Sequence, residues 1–199
     1  MSTRHATTKK KNDSKKNKKE FAAMKIGTLR QLLVLQLESL LASERHARDT
    51  FPELAKSAAA PGLAECLQEQ AATAREHVVR LDRVLERLAP PARPGAPALR
   101  PAEESPTSRA LLRQCAALAG NAEVDPHVRD AALAALARHV LHHDIAGYTS
   151  AHAWSRLVGD DETARELARS LDDEHAAARR LAEVAAEVDR LAAIDLVKA

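Results

Sequence analysis

The chain is poor in the residues that build sheets, staples and membrane spans. Of 199 residues only two are Phe, one Tyr and one Trp, and six are Gly. Such scarcity disfavours a β-sandwich or a parallel sheet, whose pleated surfaces are filled by aromatic and β-branched side chains. There are two cysteines, Cys66 and Cys115, and no CxxC. That excludes a disulfide framework and reads as two buried free thiols in a reducing compartment. No apolar run approaches the ~18 residues that a spanning helix needs, so membrane insertion is not expected. A GxGxxG turn, a phosphate-binding Gly-Lys loop and a GxSxG elbow are all missing, leaving nucleotide-binding and conventional hydrolase readings without support. What remains is a 45% apolar, 29% charged chain dominated by Ala and Leu. It has enough apolar surface for a core, and its composition favours helices.

The net charge of +2 is unevenly spread. Residues 1–25 carry eight Lys and one Arg against Asp13 and Glu20, which is +7 there and −5 in the remainder. A segment such as KKKNDSKKNKK has too little apolar area to offset its ordering entropy, so residues 1–25 read as a disordered Lys-rich tail. It has neither the apolar stretch of a secretory signal nor the amphipathic spacing of a transit peptide, and a cytoplasmic location is expected. Lys9, Lys10, Lys11, Lys15, Lys16, Lys18 and Lys19 could neutralise phosphates of nucleic acid nonspecifically, without base readout.

Residues 26–192 read as one helical domain. Apolar positions recur at alternating steps of three and four along Ile26, Leu29, Leu33, Leu37 and Leu40, then Ala47, Phe51, Leu54 and Ala58. With Thr28 as N-cap, this predicts a helix over 28–60, kinked at Pro52, followed by a second over 63–89. The proline-rich stretch PPARPGAPALRPAEESPTS cannot be regular helix. A short helix from Ser108 to Gly120 follows it. Asp125-Pro126 starts a third long helix over 126–158, and a fourth spans 161–191 after the Gly159 break. Tight joints make each pair an antiparallel hairpin. The 90–125 crossover between the pairs is long enough to travel the bundle's length. That pattern predicts an all-α, ferritin-like four-helix bundle. A homo-oligomer of such bundles is compatible with the pattern.

Polar residues interrupt the apolar seams. Glu44 sits on the line of Leu37 and Phe51, Gln70 and His77 on the line of Leu67 and Leu81, and Glu174 on the line of Leu171 and Ala178. His139, His142, His143 and Asp144 cluster in the third helix. Glu44 lies 17 residues before Pro61 and His77 lies 16 after it. Asp144 and Glu174 each lie 15 residues from Gly159. Antiparallel hairpins bring these positions to one height, a polar layer across all four helices. A buried carboxylate costs several kcal/mol unless it is paired or holds a cation. Carboxylates and imidazoles meeting inside a bundle are how di-iron and di-manganese sites are made. The candidate ligands are Glu44, His77, His143, Asp144, Glu174 and His175. Gln70, Thr73, His142, Asp172 and Asp173 are supporting or degenerate positions, with Asp173 expected on spacing to face solvent. Asp172-x-x-His175 keeps the Glu-x-x-His spacing with a shorter acid, whereas Glu174 lies better on the core line. A metal-free network of Glu44 with neighbouring arginines is the competing reading.

Four stretches together resemble a known family: TLRQLLVLQLESLLASERHARDTFPELAKSA, REHVVRLDRVLERL, PHVRDAALAALARHVLHHDIAGYTSAHAWSRLVG and LARSLDDEHAAARRLAEVA. In order and spacing they are similar to the YciE/YciF-like ferritin-like proteins of bacteria, over Thr28 to Ala192. The resemblance implies a ferritin-like bundle, a di-metal centre and an association with stress responses, without a defined reaction. Carried across, the family's acids fall on Glu44, Asp144, Asp173 and Glu174. This chain departs from the family pattern at Gln70 and Thr73, where His and Glu are usual, and at Leu141-His142-His143-Asp144, where Glu-His-Tyr-Glu is usual.

Overall fold

The structure, a computed structural model, describes residues 26–88 and 106–195. The Lys-rich tail and most of the proline-rich stretch lie outside the described residues. Five helices follow in order: α1 (Leu29–Ser57), α2 (Pro61–Leu88), α3 (Pro106–Ala119), α4 (Pro126–Leu157) and α5 (Asp161–Asp195). The architecture is an all-α bundle of four long helices with α3 as a short addition.

Local chemistry fixes the helix starts. Thr28 Oγ1 accepts from the Gln31 N–H at 3.2 Å. Asp125 Oδ1 accepts from His127 and Val128 N–H at 2.8 and 3.1 Å, with Pro126 in the first turn where its missing donor costs nothing. Between α4 and α5, Gly159 takes a left-handed φ of 77°, and Asp160 Oδ1 then caps the Thr163 N–H at 3.0 Å. α1 stops at Ser57 rather than Ala60, because residues 58–60 form the turn. The N–H groups of Ala59 and Ala60 there are taken by the fully buried carboxylate of Asp130, at 2.6–3.1 Å. α1 continues through Pro52 without interruption.

The Asp130 clamp also fixes the topology. It sets the start of α4 against the α1–α2 turn, at the opposite end of α2 from Leu88. The connection from α2 to α4 therefore travels the bundle's length, and α2 and α4 run parallel. α1 packs against α2 and α4, and α5 packs against α2 and α4, so every neighbouring pair of long helices is antiparallel. α3 lies along α4 and α1.

The core is split in two. Phe51, Leu54, Leu63, Leu67, Leu133, Val140, Leu181 and Val188 form one apolar cluster, completed by Leu112 and Cys115 of α3. Leu33, Leu37, Leu40, Leu81, Val84, Tyr148 and Leu167 form the other. Each such side chain contributes about 1.5–3 kcal/mol by leaving water. In every long helix the sequence between the two clusters carries a polar residue: Glu44, His77, Asp144 and Glu174, all buried. α1 and α4 approach closely beside this layer. A Cβ on Gly147 would fall 2.8 Å from Leu40 Cδ2 and 2.9 Å from Gln36 Nε2, so a larger residue would have to displace these side-chain ends.

Candidate metal centre

One buried imidazole is surrounded by acids from two neighbouring helices. His77 Nδ1 lies 2.8 Å from Glu44 Oε1 and 3.3 Å from Glu174 Oε1. Donor atoms of Glu44, His77 and Glu174 all fall within 4.8 Å of one another. The far nitrogen, His77 Nε2, is 3.2 Å from Asp173 Oδ2. Asp173 is held in turn by Arg80, which donates to it at 3.3 Å and to the buried hydroxyl of Ser170 at 2.6 Å. The Tyr148 hydroxyl donates to Glu44 Oε1 at 2.7 Å, and its ring meets His77 edge-on at 5.5 Å. Asp144 completes the layer. Its Oδ1 accepts from Ser43 Oγ at 2.7 Å and faces His143 Nδ1 at 3.0 Å.

The electrostatics are unbalanced. Burial alone would lower the affinity of His77 for its second proton, but the bonds to Glu174 and Glu44 outweigh it and raise the pKa to about 10. Both ring nitrogens face carboxylate oxygens, so the imidazolium is the form that can donate to both. Burial, with Glu44 and Asp144 nearby, pushes Glu174 up to about 8 despite the bond to His77. Burial and Glu44 likewise push Asp144 up to about 6, against the pull of His143 and Ser43. Burial beside Glu44 drives the Tyr148 hydroxyl well above its ordinary value. The pocket thus stays near neutral by holding protons. One acceptor is still unused, since Glu174 Oε2 is buried without a hydrogen-bond partner. A carboxyl oxygen in that condition fits a cation ligand once the cation displaces the proton.

The expected ligands divide by helical phase. Glu44, His77 and Glu174 converge, with Asp144 adjacent. His143 is half-buried and reaches the layer only through Asp144. His175 is exposed, because one residue beyond Glu174 the helix has turned by ~100°. His142 and Asp172 are exposed for the same reason. Gln70 is buried and Thr73 half-buried, about two turns and one turn along α2 from His77. Asp173 does not simply face solvent: its carboxylate is half-exposed yet bonds His77. Tyr148, Ser43, Arg80 and Ser170 went unnoticed in the sequence. Tyr148 had a signal, being the single tyrosine and four residues after Asp144 on the same helical face.

The family model described as Domain of unknown function (DUF892) matches residues 28–193. Among solved structures, the Escherichia coli stress protein YciF is similar with a TM-score of 0.72 at 21% identity, over 83% of this chain and 99% of that one. YcfI from Rhodopseudomonas palustris is similar with a TM-score of 0.69 at 27% identity, over 80% of this chain and 96% of that one. No curated protein matches the sequence. The family match takes in all four long helices and every residue of the polar layer. By that match the chain belongs to the YciF-like DUF892 family.

Proposed function

We propose that this is a stress-associated ferritin-like protein that binds iron or manganese between Glu44, His77 and Glu174, with Asp144 beside them. One observation carries the reading. Two buried acids, Glu44 and Glu174, and the half-exposed Asp173 crowd one imidazole, and Glu174 Oε2 has left water without finding a donor. Carboxylate oxygens with an imidazole nitrogen suit both metals. Such a cation, when bound, supplies the redox chemistry for Fe(II) oxidation or peroxide consumption.

The residues have separable tasks. Glu44 and Glu174 offer oxygens from α1 and α5, and His77 offers Nδ1 from α2. Asp173 accepts from Nε2–H, which leaves Nδ1 as the nitrogen able to bare a lone pair. Tyr148 holds Glu44 in place through Oε1. Because α2 presents Gln70 and Thr73 rather than an acid, this donor set suits one tightly held cation. A di-iron or di-manganese centre would need Asp144 and the half-buried His143 to hold the second.

Metal analysis tests this directly. Protein reconstituted with Fe(II) or Mn(II) should retain about one equivalent and melt higher, by about 2.7 kcal/mol at a hundredfold excess over Kd. Glu44→Ala and Glu174→Ala should retain none. Reconstituted wild type that stays metal-free with unchanged stability would eliminate the reading. It would favour a metal-free interaction module, a reading supported by the proton-balanced state of the pocket. Contact between the basic tail and nucleic acid is a separate proposal. A gel shift that persists after deletion of residues 1–25 would refute it.

A further inference from the structure

The face of the bundle outside His77 carries an open groove of ≈ 450 Å³ between α2 and α5, lined by Arg75, Arg80, Arg83 and Arg169 with Glu76 and Glu166. Elsewhere on the same two helices some arginines are paired, while Arg165 and Arg179 have no hydrogen bond or ion pair among the described residues. Arg180 is paired with Glu65 and Glu69, and Arg87 with Glu162 and Glu166. In the groove only Arg80 is engaged, with Ser170 and Asp173. Arg75, Arg83 and Arg169 have no hydrogen bond or ion pair among the described residues. One of the two lining carboxylates, Glu166, is already taken by Arg87 at 3.3 Å. Four arginine side chains therefore line a hollow from two walls, beside a single unengaged acid, Glu76.

Like charges gathered in a concavity repel one another, and the concavity focuses their field outward toward anions. The guanidinium fork matches phosphate and carboxylate oxygens in bidentate fashion. A planar carboxylate can satisfy one wall. Arginines arriving from both walls call for several oxygens set around more than one centre. The groove volume lies in the range of small-molecule sites, about 300–1,000 Å³.

We propose that the α2–α5 groove is a binding site for a small multivalent phosphate, held by Arg75, Arg83 and Arg169 with Arg80 innermost. The site requires no cation in the buried pocket, so it stands or falls separately from the metal reading. It does touch that pocket, since Arg80 is shared between the groove and Asp173, the residue that holds His77.

Isothermal titration of the full chain with sodium tripolyphosphate at low salt tests the assignment. Lysines of the tail attract the same probe, so the decisive readout is a comparison of variants. Arg83→Ala with Arg169→Ala should weaken binding at least about tenfold, whereas Arg113→Ala with Arg138→Ala, which removes equal charge outside the groove, should change it less than about twofold. Arg83→Lys with Arg169→Lys keeps the charge but loses the fork, and should fall between; it also serves if the alanine pair fails to fold. Equal losses in the groove and control pairs would overturn the proposal, as would the absence of binding by wild type. An oligonucleotide arm separates the remaining source. If a 12-nucleotide strand binds through Arg83 and Arg169 while tripolyphosphate does not, the groove takes a polymer backbone and the small-ligand assignment fails.

Discussion

His77→Ala should destabilise the metal-free protein by about 3–5 kcal/mol near pH 8, measured by urea unfolding in a chelator. The effect is larger than an ordinary cavity mutation because His77 carries the positive charge at the centre of the pocket. Removing it leaves Glu44, Glu174 and Asp144 buried near one another, with Tyr148 donating to Glu44 alone. Acid should rescue much of the loss. At pH 5, Glu174 and Asp144, already raised to about 8 and 6 in the intact pocket, hold protons and no longer repel. Removing charge and countercharge together should behave differently. Glu44→Leu with His77→Phe replaces a desolvated pair by apolar volume, and such exchanges are often neutral or stabilising. A His77→Ala protein as stable at pH 8 as wild type would mean the imidazole carries no charge there, and the electrostatic account of the pocket would fail.

The metal-free protein should also lose stability as pH rises from about 5 to 10, with the opposite trend for its cation affinity. Folded His77 titrates near 10 rather than 6.5, and folded Glu174 near 8 rather than 4.5. Both groups bind protons more tightly in the folded state. Their contribution is complete below the unfolded values and drains away as pH climbs through the folded ones. Binding of Mn(II) at Nδ1 and the carboxylates competes with these same protons, so its stabilising effect should grow over the same window. Urea midpoints at pH 5.5, 7.5 and 9.5, with and without Mn(II), provide the measurement. Glu174→Gln serves as the reference that cancels titrations elsewhere. Its metal-free slope between pH 5 and 8 should be flatter than that of wild type; parallel slopes would show that Glu174 does not hold a proton in the fold.

The bundle and the height of its polar layer were legible in the sequence because both depend only on helical period and turn position. Counting from Pro61 and Gly159 brings Glu44, His77, Asp144 and Glu174 to one level, and in the structure the first, second and fourth converge within 4.8 Å. Rotation about each helix axis was harder to read. Glu174 and His175 differ by one residue, hence by ~100°, and the apolar seam alone identifies which faces inward. Asp173, a supporting position expected to face solvent, lies at the edge of that seam, where a half-exposed carboxylate still reaches a buried imidazole. Partners such as Ser43 to Asp144 and Arg80 to Ser170 join residues 101 and 90 positions apart. Such bonds depend on side-chain rotamers across helices, which no local pattern encodes.

Gly147 has a bearing on ion choice that its lack of donor atoms conceals. It stands between Asp144 and Tyr148 on α4, with Leu40 and Gln36 seated against its bare backbone. The close seating of these two α1 side chains on α4, beside Glu44 and Asp144, depends on a missing methyl group. Alanine at 147 would have to displace the ends of the Leu40 and Gln36 side chains. If the proposed cation binds, the fit of α1 against α4 at this glycine bears on the size of ion the layer admits, although the residue offers no ligand atom.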